Sequence, residues 1–137
     1  MWSKRIATIA IVLLGMSAGF LCAEDKIPDI EDIMGNQHAK DGTLDKITAG
    51  VGKQNPDWDK IQELTKEYSK QIAFLGKNKP PKDKSDEKLW KELTQKIADS
   101  AKKVDEQAKK KDKEGLAKAV ANIKPDQCKK CHDTFRD

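Results

Sequence analysis

Apolar residues recur at three- and four-residue intervals through most of the chain, which is the period of amphipathic helices rather than of strands. The first such stripe runs from Ile30 to Val51 and is interrupted by the break signal Asp41-Gly42. Asp29 is predicted to cap its first half and Thr43 its second. The stripe consists of Ile30, Ile33, Met34 and His38, followed by Leu44, Ile47 and Val51.

Three further helical stripes follow. The second helix is predicted to begin at Pro56 or Asp57, the third at a Ser85 cap and the fourth near Glu114, with Pro125 kinking or restarting the last one. Their inward positions are Trp58, Ile61, Leu64, Tyr68, Ile72 and Leu75; then Leu89, Trp90, Leu93, Ile97, Ala101, Val104 and Ala108; then Leu116, Ala117, Val120 and Ile123. No strand-like alternation is present. Four helical segments with short connections predict an all-α, antiparallel four-helix bundle in which the fourth segment lies beside the first.

Residues 1–23 have the pattern of an export signal. Lys4 and Arg5 precede the apolar run from Ile6 to Leu14, and small residues follow. Cleavage is expected after Ala23, so that residues 24–137 form one mature domain, in a periplasmic or other extracytoplasmic compartment. No later apolar run is long enough to span a membrane.

Cys22 lies at the end of this segment. A cysteine just after an apolar run can be a lipid attachment site, but lipidation favours a small residue immediately before the cysteine, and Leu21 stands there. Cys22 is therefore expected to be removed with the signal; lipidation of Cys22 and retention of the segment as an uncleaved anchor are the alternatives.

Charge argues against nucleic acid as a partner. The whole chain has 27 basic and 23 acidic residues, and removing Lys4 and Arg5 with the signal leaves 25 against 23, a net charge of +2. The lysines are spread over helix faces, as in solvated surfaces.

The most informative motif is Cys128-Lys129-Lys130-Cys131-His132, near the C-terminus. C-x-x-C-H is the attachment sequence of c-type haem: two thiols form thioethers with the haem, and the histidine binds its iron. Spacings of three and four residues place Cys128, Cys131 and His132 on one side of a helix. A dithiol redox pair and half of a zinc site are the alternatives. The first normally accompanies a βαβ pattern, which is absent here, and for the second the only further histidine is His38.

The segment from Cys128 to Arg136, with Phe135 and Arg136 three and four residues after the histidine, resembles the C-terminal signature of class II c-type cytochromes, the family of cytochrome c′ and its low-spin relatives. Ile33-Met34, the Lys79-Pro80-Pro81 loop and Trp90 are similar to further features of that family. The resemblance implies a four-helix bundle with one haem c. It also allows a homodimer, since class II members often pair through their first two helices.

Site residues follow from this resemblance. Cys128 and Cys131 would be the thioether anchors, His132 the proximal iron ligand, and Arg136 a partner of a haem propionate. Met34 matches the methionine that completes the coordination in low-spin members. His38, one turn later on the same stripe, is a rival ligand, and an open or blocked iron is the third possibility.

With Met34 as a ligand, the chain is expected to be a one-electron carrier that docks on redox partner proteins, its exposed lysines steering it toward acidic surfaces. With an open iron it would be a module that binds nitric oxide or carbon monoxide. An enzyme is not expected, because no acid–base constellation accompanies the proposed distal side.

Overall fold

The computed structural model describes residues 26–81, 86–123 and 126–136. Regular structure in these ranges is helical, with no β-strand, which confirms the predicted all-α class. The α-helices are α1 (Ile30–His38), α2 (Thr43–Gly52), α3 (Trp58–Ala73), α4 (Glu87–Lys109), α5 (Lys113–Ala121) and α6 (Asp126–Phe135), and a 3-10 turn, Leu75–Lys77, follows α3. The predicted export segment with Cys22, and Ser85 and Pro125, lie outside the described residues.

Aspartate side chains cap two helix starts: Asp29 caps α1 as predicted, whereas Asp57 caps α3, which begins at Trp58 and not at Pro56 or Asp57. The Asp29 carboxylate accepts a hydrogen bond from the backbone N–H of Asp32 (2.8 Å), and that of Asp57 accepts one from Lys60 (3.1 Å). Each satisfies one of the backbone donors that a helix N-terminus leaves without a partner.

Two predicted caps are wrong. Asp86, and not Ser85, caps α4, because its carboxylate accepts the backbone N–H of Leu89 at 2.9 Å. At the start of α2 the capping residue is Gly42, and Thr43 already belongs to the helix. The Thr43 hydroxyl instead donates to the carbonyl of Asn36 (3.3 Å), which ties α2 back to α1.

The second stripe continues past the end of its α-helix. The α-helix stops at Ala73, two residues before the predicted inward position Leu75, and the chain tightens into the 3-10 turn, with the Lys77 N–H donating to the Phe74 carbonyl at 3.0 Å. Leu75 is nevertheless buried, because the tighter turn keeps its side chain on the inner side.

The helices pack in a closed order. Helix α2 contacts α3, α3 contacts α4, and α4 contacts α5. Helix α5 in turn contacts α2, so these four helices form a closed ring. Helix α1 packs against α2 and α3, whereas α6 packs against α4. Across the described ranges, no helix is both long and apolar enough to cross a bilayer.

Two apolar clusters form the interior. The main cluster contains most of the predicted inward positions of α1 to α5, among them Ile47, Tyr68 and Leu116, all inaccessible to solvent. The prediction that Ala117 faces inward is wrong, because this residue is exposed on α5. A smaller cluster of Trp90, Leu93 and Phe135 joins α4 to α6. Ile30 packs against both clusters, and so connects α1 with the end of the molecule where α6 lies.

One buried polar contact joins α3 to α4. The Thr65 hydroxyl, fully buried, donates to the Asp105 carboxylate at 3.0 Å, and Asp105 also forms an ion pair with Lys109. Since a buried polar atom that lacks a partner is costly, this contact favours one register of α3 along α4.

Replacing Thr65 with valine is expected to lower the free energy of unfolding by about 1–3 kcal/mol, because one buried carboxylate oxygen of Asp105 loses its donor while the volume of the side chain is kept. Urea denaturation followed by circular dichroism measures the change. Thr48→Val is the matched control: Thr48 is exposed and bonds only within its own helix, to the Leu44 carbonyl, so its loss should cost about 0.5 kcal/mol or less. Equal costs in the two variants would show that the interhelical bond adds nothing.

Candidate functional site

Helix α6 carries the C-x-x-C-H residues on one turn. Cys128 and Cys131 are half-buried thiols that are not joined in a disulfide, whereas the side chain of His132 is exposed. The two cysteines thus face the protein as predicted. The expectation that His132 shares their inward face is not met.

Helix geometry explains this difference. Successive helical residues are about 100° apart, so Phe135 and Cys131 lie about 20° and 60° to one side of Cys128, and His132 lies about 40° to the other side. Phe135 is buried in the smaller cluster and fixes the inward direction of α6. His132 is therefore left on the flank of the buried stripe, adjacent to both thiols but open to solvent.

The two thiols lie in different apolar surroundings. Cys128 packs against the main cluster and donates to the Ile123 carbonyl at 3.3 Å, whereas Cys131 packs against the smaller cluster. Burial raises the pKa of the Cys131 thiol, and the neighbouring Cys128 raises it further. A raised pKa favours the thiol form of this sulfur at neutral pH over the thiolate that attacks disulfides.

Met34 borders the main cluster from α1, as Ile30 does, and Cys128 borders it from α6. The side chains of Met34 and Cys128 are both half-buried. The predicted α1 stripe is confirmed as a buried or half-buried face: Ile33 is fully buried, and Ile30, Met34 and His38 lie at its edge.

His38 contacts Tyr68. The Nε2 atom of His38 lies 3.3 Å from the Tyr68 hydroxyl oxygen, and the ring centroids are 5.6 Å apart at an interplanar angle of 54°. Tyr68 is completely buried on α3. Burial raises the pKa of Tyr68, and Cys128 adds a smaller electrostatic contribution in the same direction, which places the hydroxyl within electrostatic range of α6.

Two glutamine side chains that the sequence did not single out have a buried oxygen. Gln37 is 4% exposed, and its side-chain oxygen has no hydrogen-bond partner in the structure. Gln127 donates to the Ser100 hydroxyl at 2.9 Å, but its side-chain oxygen is likewise buried without a partner. Gln37 lies four residues after Ile33, so the helical period alone marks it as inward-facing, although its polarity concealed this.

Arg136 is exposed just beyond the end of α6, and its backbone N–H donates to the carbonyl of His132 at 3.0 Å. The predicted role of its guanidinium at a propionate stays a prediction. Among the described residues, no three His, Cys, Asp or Glu side chains converge on a point where protein ligands alone could hold a metal ion.

A surface groove of about 310 Å³ lies between α2 and α3, away from α6. Its walls include Ala49, Gly50, Ile61 and Leu64, with lysines at the rim. It contains none of the residues that the sequence predicts as site residues.

The donor set of α6 fits a covalently attached haem. The two thiols are adjacent on one turn at the required spacing, face apolar clusters that would shield a porphyrin from water, and are followed by an accessible imidazole. The buried side-chain oxygen of Gln127, next to Cys128, lacks a donor, which is consistent with a site to which a further group or a water contributes.

Comparison of the chain with models of protein families, with characterised proteins and with solved structures finds no significant match. Function is therefore inferred from the residues of the chain itself.

Proposed function

We propose that this chain is an exported mono-haem c-type cytochrome that carries single electrons, with haem c attached through Cys128 and Cys131, His132 as the proximal ligand and Met34 as the distal ligand. The observation that carries the proposal is the arrangement on α6: two half-buried thiols on one helical turn, facing apolar clusters and followed directly by a histidine.

The closed order of helix contacts supports the proposed bundle. If α1 with α2 and α5 with α6 each count as one broken helix, the chain has four segments, and the contacts of α2, α3, α4 and α5 close a ring. A four-helix bundle of the class II cytochrome type has this order, with its cofactor among side chains of facing helices.

Each site residue has a distinct task. Cys128 and Cys131 tether the group, so it cannot dissociate, and the apolar clusters beside them exclude water. When bound, the haem supplies reversible one-electron chemistry at its iron. The thioether of Met34 is a soft, neutral donor of the kind found opposite histidine in cytochromes with raised reduction potentials.

Surface charge suits docking on acidic partners. Lys129 and Lys130 are exposed next to the cysteines, and Arg136 lies one turn after His132. The pKa of Glu92 on α4 is lowered chiefly by its bond to Lys96, and the charge of Lys130 on α6 contributes in the same direction. We expect these cations to accelerate encounter with acidic redox proteins outside the cytoplasm, where haem c is attached.

Met34→Leu tests the distal ligand. The ferric wild-type holoprotein should be low-spin and show the weak sulfur-to-iron band at the red end of the visible spectrum. The variant should lose that band and become high-spin, because leucine is close to methionine in volume but has no sulfur to bind the iron. Absorption and electron paramagnetic resonance spectra check this.

His38→Ala is the control and should leave the red band in place. If only His38→Ala abolishes low-spin character, His38 is the ligand and the assignment of Met34 is wrong. A wild-type spectrum that is high-spin and shifts on addition of nitric oxide would replace the carrier function with gas binding.

A further inference from the structure

We infer that Tyr68 is a positioning residue that selects the axial ligand: it holds the imidazole of His38 in a hydrogen bond and thereby leaves the distal coordination position to Met34. This inference rests on the proposed function, since it concerns the ligand of the proposed haem.

Helix α1 places two side chains that can bind haem iron next to each other, so something must determine which of them does. Met34 and His38 are four residues apart on one helix, so their side chains are neighbours, and both are half-buried at the edge of the main cluster. Imidazole is a common axial ligand of haem iron, as thioether is. Two competent donors therefore stand one turn apart, and sequence spacing alone does not decide between them.

The contact with Tyr68 distinguishes the two donors. The Tyr68 hydroxyl oxygen lies 3.3 Å from Nε2, the nitrogen at the outer end of the His38 ring. In one tautomer Nε2 accepts a hydrogen bond from the hydroxyl and Nδ1 carries the ring proton, so neither nitrogen has a free lone pair. In the other tautomer Nε2 donates to the hydroxyl oxygen and the lone pair is on Nδ1, so the bond withholds Nε2 from a metal. Met34 has no such hydrogen bond among the described residues.

Tyr68 is suited to this task because it cannot move readily. Its side chain is fully buried in the main cluster, and its ring packs against the His38 ring with centroids 5.6 Å apart. The same burial raises the pKa of Tyr68, so the hydroxyl stays protonated through the neutral range. Since α3 packs against both α1 and α4, the position of the hydroxyl is set by the core and not by the site itself.

Tyr68→Phe in the holoprotein is the test, because it removes the hydroxyl and keeps the buried ring. Loss of a hydrogen bond of ordinary net strength should shift the ligand equilibrium about five- to tenfold toward His38. We expect the sulfur-to-iron band to weaken and a bis-imidazole electron paramagnetic resonance signal to appear. The double variant Tyr68→Phe/His38→Gln should recover the methionine spectrum, because it removes the competing donor.

Thr65→Val is the matched control. Thr65 is also fully buried on α3, one turn before Tyr68, but its hydroxyl bonds to Asp105. Its loss should leave the ligand spectrum unchanged. An equal spectral change in both variants would mean that a general loosening of α3, and not the bond to His38, alters the site.

Two outcomes separate the role of Tyr68 from the proposed function. If the wild-type red band depends on Met34 but Tyr68→Phe shows no nitrogen-ligated fraction, the role of Tyr68 in ligand selection is overturned, whereas the proposed electron carrier is not. If the wild type lacks a band that depends on Met34, both the role of Tyr68 and the proposed methionine-ligated carrier are overturned.

A second measurement needs only the wild-type protein and so applies even if Tyr68→Phe does not fold. In wild-type holoprotein labelled with ¹⁵N-histidine, the nitrogens of His38 should lack the paramagnetic shift of an iron ligand. A paramagnetically shifted His38 nitrogen would overturn the inference.

Discussion

Replacing both Cys128 and Cys131 with alanine is expected to abolish covalent haem attachment, so that essentially no haem remains with the polypeptide after denaturation. Each thiol would supply one thioether, and both lie half-buried on the same turn of α6. Alanine preserves the helix and removes only the two sulfurs. Haem-specific staining of a denaturing gel and the mass of the intact protein, after expression with a haem-attachment system, measure the effect.

The single variants should separate the two sulfurs. With Cys128→Ala or Cys131→Ala alone, one thioether remains possible, so a smaller yield of attached haem is expected. Lys129→Ala/Lys130→Ala is the control within the motif: both side chains are exposed, and their loss should leave attachment intact. Haem retained through denaturation by the double cysteine variant would contradict the proposed site.

Periodicity predicted the helices well because burial in this chain depends on the helical repeat. The inward positions of the third stripe, from Trp90 to Ala108, all lie buried on α4. Ends of helices were less predictable. Ser85 and Asp86 are adjacent residues with similar capping preference, so only the geometry of the Asp86 carboxylate decides between them.

Of the candidate site, the sequence predicted the positions of the two α6 thiols but not the surroundings of His132 and His38. C-x-x-C-H is a local motif, and its two thiols lie where local helix geometry places them. The exposure of His132 depends instead on which side of α6 faces the protein, and the packing of Phe135 against α4 sets that side. The contact between His38 and Tyr68 joins residues 30 positions apart, and helical periodicity carries no information on which stripes meet. The position of Gln37 fits the α1 stripe, but a polar side chain adds nothing to an apolar pattern, so that pattern does not predict its burial.

The packing that orients α6 depends most on Trp90. This side chain is 3% exposed, and its ring meets that of Phe135 edge-on, with centroids 5.1 Å apart at 80°. The indole N–H donates to the carbonyl of Asn78 at 2.9 Å, and the amide of Asn78 in turn donates to the carbonyl of Pro28, just before α1. Trp90 thus connects the start of α4 with α6 and with the turn that follows α3.

Trp90→Ala is accordingly expected to lower the free energy of unfolding by about 3–5 kcal/mol, the usual cost of removing a large buried aromatic side chain. Because a domain of this size is stable by only about 5–15 kcal/mol, the variant should be partly unfolded or close to it. Urea denaturation measures the loss. Hydrogen exchange should in addition show that the amides of α6 lose more protection than those of α2, since α6 loses the ring that Phe135 packs against.

Two further variants determine which part of Trp90 matters. Trp90→Phe keeps an aromatic ring but not the indole N–H, so about 1–3 kcal/mol of destabilisation is expected from the Asn78 carbonyl that loses its donor. Trp58→Ala removes a tryptophan that is only half-buried, at the start of α3, and should cost less than Trp90→Ala. If Trp58→Ala is equally costly, or if α6 keeps its protection in Trp90→Ala, the smaller cluster does not hold the cysteine-bearing helix in place. The orientation of Cys131 and His132 would then have to come from the bound group itself.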